Sequence, residues 1–355
     1  MSDELPSSDQ TIVLAGIDEA GYGPTLGPLC VAMSVFELPR ATSRTAPDLW
    51  ELLHKAVCRE PGRGGKHDVS GRIAVADSKQ LKGSNHAKSV HPLVHLERGV
   101  LGFLHAQHEH LPADDAELFA LLGTAFPAHD WYAPPATALP CANDAGLLRI
   151  AASKLRGEMH ASSISARSLR CMVVGEAQFN KIAEDSGGKA ATTQHAIGVY
   201  LDELWREHAH ARADGGVRCG LVCDRLGGRM EYAEMLRSLL ARAKHDVTVE
   251  IIEESPARSK YVVRCDGASP RAMGVTFLVE SEQRHLAVAL ASMTAKYTRE
   301  LAMMRFNRWW GAFAARELGV ELKPTAGYAL DARRWLHDAR ELVGNERRRE
   351  LVRIV

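Results

Sequence analysis

The chain has 355 residues, 46% apolar and 25% charged. That composition excludes disordered, fibrous and disulfide-scaffold proteins and allows one enlarged domain or two, each with a full hydrophobic core. Lys and Arg number 44 and Asp and Glu 44, so no global positive field draws the protein to nucleic acid, and such a partner would be held by local basic patches. The seven cysteines are odd in number, include no C-x-x-C pair and lie partly in apolar runs, which predicts free thiols. Residues 1–10 have neither the basic nor the apolar region of a signal peptide, and no apolar run reaches the ~18 residues of a membrane span. A cytoplasmic protein without membrane contact is the expectation.

Residues 11–17 form a short apolar run with β-branched side chains, the pattern of a buried central strand, and residues 29–38 read as its antiparallel partner. Residues 59–72 are a Gly-rich basic loop, in which GRGGK at 62–66 fails the spacing of a phosphate-binding P-loop. Residues 106–170 are rich in Ala and His without a strong period and are read as an insertion or subdomain. Further on, 196–207 reads as helix, 219–223 as a strand, Gly227 and Gly228 as a turn, and Ala233, Leu236, Leu240 and Ala243 as one helix face. Residues 247–252 and 274–280 read as strands. From Leu286 a long helix carries Leu286, Leu290, Met293, Tyr297, Leu301 and Met304 on one stripe, and 331–355 reads as a basic helical tail. Strands alternating with helices predict an α/β sheet flanked by helices.

Three acidic points stand where apolar elements stop: Asp18 with Glu19, and Asp224, each followed by glycines. The ends of strands beside glycine turns are a common place for α/β active sites. A fourth acid, Glu300, lies on the long helix, four residues after Lys296 and eight after Ser292. Asp224 alone reads more readily as a turn residue or helix cap and Glu300 as a helix charge near Arg299, while the Asp18-Glu19 pair at a glycine turn favours a site. Together, and without His or Cys, they suit a hard cation such as Mg²⁺ or Mn²⁺. His105, His108 and His110 have no Cys or acid in ligand register, and Trp309 with Trp310 is expected to pack against the sheet.

The run GIDEAGYGPTLGPL at 16–29 resembles the opening motif of the type 2 ribonucleases H, the ribonucleases HII and HIII. ADSKQL at 76–81 resembles the family's D-S-K-K-L segment, and Val222-Cys223-Asp224 its strand ending in an acid. VALASMTAKYTRE at 288–300 is similar to the family's long helix, and KPTAGY at 323–328 to its later G-Y motif. The resemblance implies a ribonuclease H-like α/β fold, a mixed central sheet flanked by helices, over residues 11–330, interrupted by 106–170.

It also implies hydrolysis of the RNA strand of RNA–DNA hybrids, with Asp18, Glu19, Asp224 and Glu300 as catalytic and Mg²⁺- or Mn²⁺-binding carboxylates. Gly21, Tyr22 and Gly23 would meet the 2′-hydroxyl, Ser78 and Lys79 the phosphates, and Lys296 a neighbouring phosphate or Glu300; Tyr328 is the remaining implied substrate contact. The partner implied is hybrid nucleic acid; the sequence leaves the oligomeric state open, with a monomer the favoured expectation. Two departures stand out: Tyr22 replaces the Arg of the HII motif, and Glu300 stands where that branch has Asp. Tyr22 removes a planar multidentate donor, so stretches of RNA are expected to be cleaved better than a lone ribonucleotide. The rivals are a non-catalytic binding protein that retains the fold and a metal nuclease acting on DNA junctions.

Overall fold

The computed structural model describes residues 11–40, 47–62, 71–83, 90–133, 135–212, 214 and 216–354. Most of the Gly-rich basic loop, residues 63–70, and residues 1–10 lie outside the described residues. In chain order the elements are β1 (Thr11–Ala20), β2 (Leu29–Pro39), α1 (Leu49–Leu52), β3 (Val57–Cys58), β4 (Ile73–Ala74), α2 (Ser78–Leu81), α3 (Val94–His108), α4 (Asp115–Leu121) and α5 (Ala145–Ala161). Then come β5 (Ser165–Val174), α6 (Glu176–Asp185), α7 (Ala190–His208), β6 (Cys219–Asp224), α8 (Ala233–Arg242), β7 (Thr248–Glu254), β8 (Arg258–Cys265) and β9 (Arg271–Leu278). The chain closes with α9 (Leu286–Leu318), α10 (Ala329–Asp338) and α11 (Asn345–Leu351).

Seven strands form one mixed sheet in the order β5-β2-β1-β6-β9-β8-β7. β2 runs antiparallel to β1 and β5, β6 and β9 run parallel to β1, and β8 runs antiparallel to both its neighbours. Strand alternation sends alternate side chains to opposite faces. In β2, Cys30, Ala32, Phe36 and Leu38 join the core beneath α3, α5 and the start of α9, while Leu29, Val31, Met33 and Val35 join the core beneath α6, α7 and α8. α9 lies directly on β1: a Cβ on Gly16 would stand 2.3 Å from the Val288 nitrogen, and Ser34 Oγ donates to the Ala287 carbonyl at 2.6 Å. Only glycine admits so close an approach.

The expected mixed α/β sheet is thus present, with local differences. α5 and the first half of β5 fall inside the stretch read as lacking a period. The period is there, with Leu148, Ala151, Ala152, Leu155 and Met159 buried, but alanines spread along the helix hide it. β8 escapes notice because its buried Tyr261 and Val263 alternate with charged and half-buried residues. β9 ends at Leu278, since Glu280 takes a left-handed backbone conformation (φ 53) that turns the chain. Residues 331–354 are packed rather than extended: Ala332, Trp335 and Leu351 share a third core with Phe306 and Trp310 of α9 and with Trp131 and Tyr132. All seven cysteines are free. Among the described residues no helix is long and apolar enough to cross a membrane.

Candidate active site

β1 and β6 are adjacent and parallel, with Ile17 opposite Cys223, so Asp18 and Asp224 follow side by side at the carboxyl ends of two central strands, with backbones about one strand spacing (~4.8 Å) apart. The Glu19 N–H donates to Asp18 Oδ1 at 2.8 Å, and Ser281 donates to Asp224 Oδ1 from both N (3.3 Å) and Oγ (3.2 Å). Those bonds come from a short 3-10 turn, Ser281–Gln283, that follows the left-handed Glu280. Burial, then the Glu19 charge, hold the Asp18 carboxyl well above the usual carboxylate range, and a hydrogen bond from Ser292 works the other way. Burial, then the charge of Asp224, push Glu19 up to about 7, with Lys79 opposing and Glu282 reinforcing. Glu282 is itself raised by burial, then by Asp224 and Asp77. Asp18 therefore feels Glu19 and Asp224, and Glu19 and Glu282 both feel Asp224.

Glu300 stands elsewhere. Its carboxylate is ion-paired with Lys296 Nζ at 2.8 Å and faces Lys82 Nζ at 3.8 Å. Ser292, which reaches Asp18, is eight residues earlier on α9, about 12 Å along the axis at 1.5 Å per residue. A further carboxylate, that of Glu282, lies near enough to Glu19 and Asp224 to act on them, while Glu300 is paired with Lys296. Glu282 carries the same sequence signal as Asp224, an acid just past the end of an apolar strand.

Asp77 caps α2, its carboxylate accepting from the Lys79 N–H at 2.8 Å, and so sets Ser78 and Lys79 beside the acids. Ser78 is buried, and its hydroxyl is hydrogen-bonded to Ser292 Oγ at 3.0 Å. That bond ties Ser78 to Ser292, which itself reaches Asp18; Lys79, exposed, acts on Glu19. On the other side lies the turn of Gly21, Tyr22 and Gly23. Gly21 has φ +90, and a Cβ there would meet the Arg299 side chain and the Pro28 carbonyl at 2.5–2.6 Å. The phenol of Tyr22 is pushed upward by burial, then by Glu19, and Lys189 Nζ lies 5.3 Å from the ring centroid, so the residue capping α7 brings a cation to this turn. Tyr328 is half-exposed, with the Arg299 guanidinium 5.5 Å over its ring. KPTAGY meets the turn through Thr25 and Leu26, whose N–H groups both donate to the Gly327 carbonyl.

Among the described residues no three His, Cys, Asp or Glu side chains already converge as a metal-binding group. The acids are nonetheless all oxygen donors suited to a hard cation, and Asp18, Glu19 and Glu282 are pushed upward by burial first and then by neighbouring carboxylate charge, which a cation would offset. Because these shifts are upward, the folded protein binds protons that the unfolded chain releases above its ordinary carboxylate range. Their contribution to stability is complete below that range and is lost as pH rises through about 7 for Glu19. The melting temperature without metal is accordingly expected to fall from about pH 5 to about pH 8, and Glu19→Gln to flatten the slope. The flattening is partial, since buried Glu176 is also raised to about 7, by burial first. A slope unchanged in Glu19→Gln, measured by thermal denaturation, would contradict the shared-charge site.

No family model matches the chain, and no curated protein matches it. Solved structures similar to it are ribonucleases HII and HIII. A chain of the PCNA–ribonuclease HII complex of Archaeoglobus fulgidus matches at 14% identity over 97% of this chain and 94% of that one, with a TM-score of 0.38. Ribonuclease H2 of Pyrococcus horikoshii OT3 matches at 14% identity over 95% and 93%, TM-score 0.38. Bst-RNase HIII in complex with Mn²⁺ matches at 14% identity over 97% of this chain and 66% of that one, TM-score 0.36. At such identities the chemistry has to be read from the side chains themselves.

Proposed function

We propose that this protein is a divalent-cation-dependent endonuclease that hydrolyses the RNA strand of RNA–DNA hybrids, in the manner of the type 2 ribonucleases H whose motifs it resembles. What supports the reading is that Asp18 and Asp224 stand at the ends of the adjacent parallel strands β1 and β6, that Glu19 and Glu282 both feel the charge of Asp224, and that Lys79 acts on Glu19. A binding module has no use for clustered negative charge facing a polyanion. The four carboxylates would hold Mg²⁺ or Mn²⁺, which when bound supplies activation of water and neutralisation of charge at the phosphate.

The chain's own residues do the rest. Lys79 offers a point charge to a phosphate oxygen. Ser78 and Ser292 orient Asp18. The backbone of the turn approaches the ribose, whose 2′-hydroxyl separates RNA from DNA, and the Tyr22 ring with Lys189 offers a face and a cation at its lip. Glu300 neutralises Lys296 and Lys82 and steadies α2, which carries Ser78 and Lys79.

The test is purified protein with Mg²⁺ or Mn²⁺ on three labelled duplexes: RNA–DNA, DNA with one ribonucleotide, and all-DNA. Cleavage is expected on the first, less on the second because Tyr22 supplies no guanidinium, and none on the third. Tight hybrid binding without cleavage would favour the non-catalytic rival, and equal cleavage of all-DNA duplex the DNA nuclease.

A further inference from the structure

Residues 21–27, the turn beside the acids, rest on two buried guanidiniums that neither motif reading nor local sequence connects to them. Arg353, 2% exposed, donates from Nη1 to the Gly21 carbonyl at 2.5 Å and the Gly27 carbonyl at 3.4 Å, and from Nη2 to the Tyr22 carbonyl at 2.8 Å. Its own N–H donates to the Thr25 carbonyl at 2.9 Å. Arg299, 1% exposed, donates to the Leu26 and Ala326 carbonyls at 3.2 and 3.0 Å. Arg353 is held in turn: Phe179 lies under its guanidinium at 3.8 Å. Asn180 clamps the backbone on both sides of it, donating to the Val352 carbonyl at 2.8 Å and accepting from the Ile354 N–H at 2.7 Å.

In a trans peptide the N–H points opposite to the C=O, and the peptides of this turn are trans, since Leu139-Pro140 is the cis bond found among the described residues. With the carbonyls of Gly21 and Tyr22 drawn down to Arg353, the N–H groups of Tyr22 and Gly23 point the other way. Among the described residues neither donates a hydrogen bond within the protein, and a Cβ built on Gly23 would meet nothing within 4 Å. Two successive donors over open space form a concavity for an oxygen acceptor.

We propose that Arg353 is a positioning residue, fixing these two peptide planes so that the Tyr22 and Gly23 N–H groups receive the ribose 2′-hydroxyl oxygen of the substrate. The inference rests on the hybrid-nuclease reading for its ligand, but not for its mechanical part. Arg353→Lys keeps the charge while reaching one carbonyl in place of several, and Arg353→Met removes both charge and fork.

Two measurements test it. Hydrogen–deuterium exchange without metal should show faster exchange across residues 21–27 in Arg353→Lys, with β1 and β6 unchanged. Fluorescence anisotropy should show the preference for an RNA–DNA hybrid over the same-sequence DNA duplex reduced by about tenfold. Mn²⁺ affinity should be retained, and in turnover KM for the hybrid should rise more than kcat falls. A folded Arg353→Lys with wild-type exchange in 21–27 and wild-type preference for the hybrid overturns the proposal. Should both Arg353 variants fail to fold, Phe179→Leu, which withdraws the ring beneath the guanidinium, is held to the same two outcomes. If the wild type itself neither cleaves nor prefers the hybrid, the nuclease reading falls, while the exchange experiment still decides whether Arg353 holds the turn.

Discussion

Asp18→Asn and Asp224→Asn are each expected to lower metal-dependent cleavage of the hybrid by about a thousandfold or more, the several kcal/mol of charge stabilisation that a divalent cation contributes to phosphoryl chemistry. Neither change alters shape, and each removes a charge from a place where burial and like charges already hold Asp18 and Glu19 above their ordinary range. Fold and secondary structure should persist, and without metal the melting temperature above neutral pH should rise rather than fall. Single-turnover kinetics on the RNA–DNA duplex with thermal denaturation of the same samples checks both halves. Turnover near that of the wild type in either variant would mean that the acids at the ends of β1 and β6 are not the reacting site.

The paired expectation for the fourth acid separates two assignments. Glu282→Gln should cost about a hundredfold or more in kcat and weaken Mn²⁺ binding, because a neutral amide is a poorer ligand for a hard cation and no longer balances its charge. Glu300→Gln should leave most of the activity, since that carboxylate is engaged by Lys296 and Lys82. Its loss is expected to show in stability rather than turnover, since the pair is largely buried and the change leaves Lys296 and Lys82 without their counter-charge. Isothermal titration with Mn²⁺ and cleavage assays on the two variants give the comparison. The reverse ranking would restore Glu300 to the metal-binding set and leave Glu282 a turn residue.

Much of this was legible in the chain itself, for local reasons. Alternation and β-branching mark β1 and its partner, a period of 3–4 marks α9, and the tight succession of Gly21, Gly23 and Gly27 marks a turn that a bulkier backbone could not make, as the Cβ contacts at Gly21 and Gly27 bear out. Asp18, Glu19 and Asp224 announce themselves because an acid at the end of an apolar run has no place to hide from the fold. Local pattern also carried the mixed α/β class.

What only the tertiary structure decided depends on distances between residues far apart in sequence. That Glu282 acts on Asp224 while Glu300 pairs with Lys296 depends on the left-handed step at Glu280 and on two turns of helix, neither of which changes the spacing of a motif. The Ser78 hydroxyl meets that of Ser292, 214 residues away. Arg353 reaches Gly21 across 332 residues, and no periodicity or motif links a buried guanidinium to the carbonyls it supports. Hydrophobic pattern is a property of neighbouring residues and can be read along the chain. The pairing of buried polar groups is a property of the assembled core, and becomes visible only once that core has closed around them.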